Sequence, residues 1–115
     1  MTTQEIASMI AEISVPFAYR MFTEDTAVPP PFICFYYDGS NNFDADDQVF
    51  VHGETLIVEL YTNRKDFALE ERAQEVFDAH EIPWDRSETW INSEKMYEVI
   101  YALDVLITPS NAKGD

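Results

Sequence analysis

The stretch Met96-Tyr97-Glu98-Val99-Ile100-Tyr101-Ala102-Leu103-Asp104-Val105-Leu106-Ile107 constrains this chain more than any other. Tyr97, Val99, Tyr101, Leu103, Val105 and Ile107 fall on one side of a two-residue repeat. Glu98, Ile100, Ala102, Asp104 and Leu106 fall on the other. A period of two belongs to a strand, and a side made only of apolar and aromatic residues has to be covered. A strand of this length also needs neighbours for its backbone N–H and C=O groups. The chain must therefore build a sheet with at least one packed face.

The neighbours can be read from the same rule. Phe32 to Asp38 is apolar or aromatic on both sides, which suits an interior strand or one covered by a partner. Gln48 to Thr62 reads as a strand with a possible break or bulge at His52-Gly53-Glu54. Leu56, Val58 and Leu60 form one of its faces, and Ile57, Glu59 and Tyr61 the other. Trp84 to Asn92 places Trp84, Arg86, Glu88 and Trp90 on one side. Phe17 to Phe22 alternates weakly and is expected to be extended. Val28-Pro29-Pro30-Pro31 is a stiff lead into the strand at Phe32.

Two segments carry helical spacing instead. Thr2-Thr3-Gln4-Glu5 matches a capping box, and Ile6, Met9, Ile10 and Ile13 follow the i, i+3, i+4, i+7 rule, predicting a helix over 3–13 that Pro16 ends. Asp66 is placed to cap a second helix over 67–80. Its stripe is Leu69, Ala73, Val76, Phe77 and His80, with Glu70, Glu71, Gln74, Glu75 and Asp78 toward solvent. The order helix, strands, helix, strands predicts an α+β fold: a mainly antiparallel sheet with both helices packed on one face. Residues 1–107 make one domain, and 108–115 form a flexible C-terminal tail.

Helices on one face leave the other showing Tyr, Ile and Glu side chains, and a half-apolar open face ordinarily means assembly. Ile57 and Tyr61 are the interface candidates there. Trp84 and Trp90 sit in the densest aromatic region and are candidate anchors, because Trp and Tyr supply most interface hot spots. Tyr97, Tyr101 and one of the two Trp are expected in the core.

Composition narrows the function. The chain is 46% hydrophobic and 14% aromatic, too rich in core formers for a disordered protein. It holds 22 acidic and 7 basic residues among 115, a net charge of −15. That excess disfavours direct binding to a nucleic-acid backbone, which needs Lys and Arg to replace counterions. It favours basic partners, cations or neutral apolar surfaces. The single cysteine, Cys34, lies in an apolar run and reads as a small buried hydrophobe, in keeping with a reducing compartment. No secretory signal is recognised before residue 20, and no apolar run approaches the roughly 20 residues of a membrane span.

The sequence offers little catalytic chemistry. In Gly39-Ser40-Asn41-Asn42-Phe43-Asp44-Ala45-Asp46-Asp47-Gln48 the oxygens of Asn42, Asp44 and Asp46 alternate as in a calcium loop. The position that should be Gly is Asp47, and the one that should be Glu is Gly53, so an acidic turn is the expectation. His52 and His80 have no Cys or His at zinc-ligand spacing; His80 is expected to cap a helix end. Glu70 and Glu71 do not face each other on a helix. No serine has a nucleophile-elbow context, and three Gly leave no phosphate-binding loop. The reading is no enzyme: no catalytic residues, no cofactor and no metal.

One series reaches beyond these local readings. It comprises Val15-Pro16-Phe17-Ala18-Tyr19, Pro30-Pro31-Phe32-Ile33, Gly39-Ser40-Asn41-Asn42-Phe43-Asp44-Ala45-Asp46, Val58-Glu59-Leu60-Tyr61-Thr62, Lys65-Asp66 and Ser93-Glu94-Lys95-Met96-Tyr97-Glu98-Val99-Ile100-Tyr101. It resembles a family of small proteins encoded among the head–tail connector and tail genes of long-tailed phages and prophages of low-GC Gram-positive bacteria. The resemblance covers about residues 14–107. It implies the role of a tail terminator, or tail completion protein: a small α+β domain that forms a hexameric ring, caps the tail tube, ends its polymerisation and docks it to the head connector. The implied partners are other copies of the chain, the major tail (tube) protein and the head–tail connector protein. The implied location is the virion tail or neck, with the host cytoplasm during assembly. No catalytic residues are implied.

Loop 39–47 would project from such a ring, which adds Phe43, Asp44 and Asp46 as interface candidates. An acidic lumen would let DNA pass without sticking. Three rivals remain open at this point: a neighbouring connector or neck protein, an acidic DNA mimic that inhibits a basic host protein, and a cation-binding module built on Asn42 to Asp47.

Overall fold

The capping box at the start of the chain forms as the spacing predicts. In the computed structural model, which describes residues 1–40 and 52–108, Thr2 Oγ1 accepts from the Glu5 N–H at 3.1 Å. Glu5 Oε1 accepts from the Thr2 N–H at 2.8 Å. These bonds open α1, Thr3–Ala11, which buries Ile6, Met9 and Ile10. Ile13 is fully buried too, although the helix has ended before it. Ser14, at φ 71°, turns the chain toward Pro16 and the next strand.

That strand, β1, is only Phe17–Tyr19, shorter than the expected run to Phe22. It stops where Arg20 enters the left-handed region at φ 69°. β1 runs parallel to β2, Phe32–Ser40, with Phe17 opposite Ile33. The connector between them, 20–31, has neither helix nor strand. Its length is about the dozen residues that a parallel crossover requires.

β3, His52–Thr62, continues unbroken through Gly53. Between Tyr37 and Ser40, three residue steps on β2 match two on β3. Such an extra residue is a bulge, and Gly39 at φ 110° lies within it. α2, Phe67–Ala79, starts on Asp66, whose side chain accepts from the Leu69 N–H at 3.0 Å. β4, Trp84–Ile91, and β5, Met96–Ile107, complete a sheet of order β1-β2-β3-β5-β4.

The described residues form an α+β fold with a five-stranded mixed sheet and two helices. The three pairings among β2, β3, β5 and β4 are antiparallel, and β1–β2 is parallel. The parallel edge was not visible in the sequence, because a period-two pattern reads the same in either direction.

Both helices pack on one face. Ile6, Met9 and Ile10 of α1 and Leu69, Ala73 and Phe77 of α2 join one cluster with Ile33, Leu56, Val58, Leu60, Val99 and Leu103. Tyr101 lies at its centre, fully buried, with Phe77 at 5.3 Å and Trp84 at 5.7 Å, both edge-on. Its hydroxyl accepts from Gln74 Nε2 at 3.0 Å. Arg72 on α2 donates to the Ile13 carbonyl at 2.8 Å and so ties the two helical segments together.

One helix position departs from the sequence reading. Glu70, expected toward solvent, is 3% exposed. Arg86 Nη1 donates to it at 2.9 Å, and Lys65 Nζ lies 2.5 Å from its other oxygen. Lys65 also bonds Glu88. A buried carboxylate needs partners of opposite charge, and here they come from β4 and from the turn before α2. Burial alone would lower the Lys65 ammonium; the bonds to Glu70 and Glu88 outweigh it and raise the group.

Candidate functional site

Strand alternation fixes what the open face of the sheet displays. Residues next to the buried Leu56, Val58 and Leu60 point the other way, so Ile57, Glu59 and Tyr61 share the face away from the helices. The register then brings their neighbours. Cys34 lies opposite Glu59, Phe32 opposite Tyr61, and on the other side Glu98 lies opposite Tyr61. Phe32 stacks on Tyr61 with ring centroids 4.9 Å apart. Glu59 and Glu98 become diagonal neighbours on adjacent strands, close enough to interact.

Tyr61 joins the two acids. Its hydroxyl oxygen is 3.0 Å from Glu59 Oε1 and 3.0 Å from Glu98 Oε2. A phenol has one proton, so it can donate fully to one carboxylate and accept from a protonated second. With both acids ionised, one contact lacks a full-strength hydrogen. Burial is the largest cause that lifts the Glu59 carboxyl, to about 6, followed by its hydrogen bond with Glu98; Tyr61 and Arg20 oppose the rise. Burial also raises the Tyr61 phenol, and both carboxylates add to that. The Cys34 thiol is raised first by burial and then by the same two acids, which makes it a poor nucleophile.

The connector 20–31 borders this face. The Arg20 guanidinium lies 4.4 Å from the centre of the Tyr36 ring, and Phe22 meets Phe32 edge-on at 5.4 Å. Between the connector and the β4–β5 turn is a recess of about 340 Å³, whose lining includes Met21, Phe22, Cys34, Tyr61 and Met96. Met21 is 69% exposed at its rim. Apolar rings, a paired acid site and a recess side by side can receive an apolar side chain and a neighbouring cationic one.

The sequence candidates distribute unevenly over this surface. Tyr61 is at its centre. Ile57 is on the same face but is 9% exposed, set between Tyr36 and Ala102 in the register, so it serves as floor. Trp84 is on the helix side, where it packs on Tyr101 and donates from Nε1 to Asp78 at 2.9 Å. Trp90 is also on the helix side, 45% exposed and edge-on to Tyr97 at 4.8 Å. Phe43, Asp44 and Asp46 lie outside the described residues, as do Asn42 and Asp47 of the candidate cation loop. His80 does end α2, but its ring reaches Glu12 at 3.2 Å and not a helix carbonyl.

Sequence reasoning missed Glu59 and Glu98 as a pair, and Glu70 as a buried acid. Register would have found the first, since it decides which residues of two strands meet. Among the described residues no group of three or more His, Cys, Asp or Glu could hold a metal ion, and no helix is long and apolar enough to cross a membrane. No protein-family model matches the chain, and no curated protein matches it in sequence.

Proposed function

We propose that this chain is a phage structural protein, a tail terminator that assembles as a ring on the end of the tail tube, stops its growth and joins the tail to the head connector. The observation that carries this reading is the open face of β2, β3 and β5. It holds Phe32, Tyr36, Tyr61 and Ile100 half-exposed around the Glu59–Glu98 pair. A ring needs a heterologous contact that closes, and a surface of mixed apolar and acidic character suits one side of it. The family resemblance over about residues 14–107 supports the same reading. Six copies would carry six times −15 in formal charge. The contacts must then keep most carboxylates apart, with many of them lining the lumen through which DNA passes.

The test is a tube assembly assay. Tail-tube protein is polymerised with and without this chain, and tube lengths are measured by electron microscopy. The wild type is expected to arrest growth and to leave a ring at the tube end. Ile100→Lys places a cation directly opposite Glu59 on the half-exposed face and is expected to fold but not to arrest growth. Tubes that lengthen equally with and without the wild type would overturn the reading.

The acidic surplus favours one alternative, a DNA mimic that occupies the nucleic-acid site of a basic protein. It differs in outcome: such a protein would ignore the tube and bind a basic DNA-binding protein as a monomer, in competition with DNA. A neighbouring connector protein would bind the head-side partner and leave tube length unchanged.

A further inference from the structure

Among the described residues the sheet has one long free edge. β1, at one side, is three residues long. β4, at the other, is eight residues long, pairs among the described residues only with β5, and contains neither Pro nor Gly. Such an edge offers a row of unpaired N–H and C=O groups to another strand.

The sequence of β4 selects the strand it fits. In Trp84-Asp85-Arg86-Ser87-Glu88-Thr89-Trp90, Arg86 and Glu88 stand with opposite charge on either side of Ser87, and a Trp stands three positions away on each side. Two copies laid antiparallel with Ser87 opposite Ser87 place Arg86 of each opposite Glu88 of the other, and Trp84 opposite Trp90. Opposite-charge and aromatic pairs directly across a ladder are the stabilising kind. Asp85 then meets the neutral Thr89. A slip of two residues one way puts Glu88 opposite Glu88, and the other way puts Arg86 opposite Arg86. A slip of one leaves Arg86 opposite Thr89 and turns the helices of the two copies to opposite faces. Of these registers, only the one about Ser87 sets Arg86 of each copy opposite Glu88 of the other.

Arg86, Glu88 and Trp90 are available for it, while Trp84 stays packed on Tyr101 and offers only its partly exposed side. Arg86 and Glu88 are 40% and 38% exposed although Glu70 and Lys65 already bind them from within the chain. Trp90 is 45% exposed.

We propose that β4 pairs antiparallel with β4 of a second copy about Ser87, which joins two sheets into one continuous sheet with all four helices on the same face. The contact is isologous and closes at two copies. It uses the edge of the sheet, whereas the ring contact uses the open face; being two-fold, it joins copies outside a polar ring or between two rings, and it is tested separately from the terminator reading.

The test is a cysteine placed on the two-fold axis. Residues directly opposite in an antiparallel ladder have Cα atoms about 4.5–5.5 Å apart, inside the roughly 4.4–6.8 Å span of a disulfide. Ser87 is exposed and the native Cys34 is buried, so in Ser87→Cys the new thiol is the reactive one. Mild oxidation is expected to give a disulfide-linked dimer. Asp85→Cys and Thr89→Cys are each expected to stay unlinked alone and to link when mixed. The wild type is expected to sediment as a dimer or a multiple of it. A monomeric wild type, or linkage no faster at Ser87→Cys than at Asp85→Cys alone, would overturn the pairing. A six-membered ring without the Ser87 linkage would overturn the pairing and leave the ring. Linkage at Ser87→Cys together with an unlinked wild type that leaves tube length unchanged would do the reverse.

Discussion

Glu59 and Glu98 meet at one phenol: the Tyr61 hydroxyl lies 3.0 Å from an oxygen of each. Two acids on adjacent strands are thereby held together on the sheet face that neither helix covers. At neutral pH this arrangement is under electrostatic stress, which protonation or a partner's cation would relieve.

Replacing Glu59 by Gln should therefore change the pH dependence of stability. The folded-state carboxyl is raised from 4.5 to about 6. A raised group contributes stability that is present below its unfolded value and is lost as pH rises through the folded one. Glu59→Gln is expected to be more stable than the wild type above pH 6, by roughly 1–2 kcal/mol after allowance for partial solvent access. The advantage should vanish near pH 4.5. Urea melts at the two pH values measure it.

Tyr61→Phe removes the shared donor. Hydrogen bonds to charged groups contribute roughly 1.5–3 kcal/mol, so a loss of about 2 kcal/mol at neutral pH is expected. The Tyr61 bond lowers the Glu59 carboxyl, so this variant should also titrate Glu59 at a higher pH. Carboxyl chemical shifts followed by NMR would show the change.

Glu70→Ala should destabilise the chain more than any other single change at an acidic helix position. The carboxylate is 3% exposed and bonded by Lys65 and Arg86. Breaking a buried pair costs about 3–5 kcal/mol. Lys65 and Arg86 keep access to water, so about 2–3 kcal/mol is expected here. Glu71→Ala, one residue on and exposed, should change little. Paired thermal melts distinguish the two.

Thr2→Ala tests the capping box. It removes the acceptor of the Glu5 N–H and is expected to cost about 1 kcal/mol. Hydrogen exchange should rise first at the amides of the first turn of α1.

The parts of the fold written in local spacing were legible. Both helix caps, the stripes of α1 and α2, and the alternation of β3 and β5 follow from residues within a few positions of each other. What depended on register or direction was not legible. The parallel β1–β2 pair, the meeting of Glu59 with Glu98, and the reach of Arg86 across to Glu70 each join residues far apart in the chain. Glu70 shows the limit most clearly: on its own helix it belongs to the polar side, and only β4 turns that position into an interior one. The candidate site was half visible. Tyr61 was marked by exposure on an open face, while its two acidic partners needed the sheet.

The most direct test of the central claim is the native mass of the chain by light scattering, alone and then with tail-tube protein. The terminator account predicts a species of six copies that forms, or is captured, at the tube end and stops further growth. A chain that keeps its solution mass in the presence of tubes, while those tubes continue to lengthen, would contradict it.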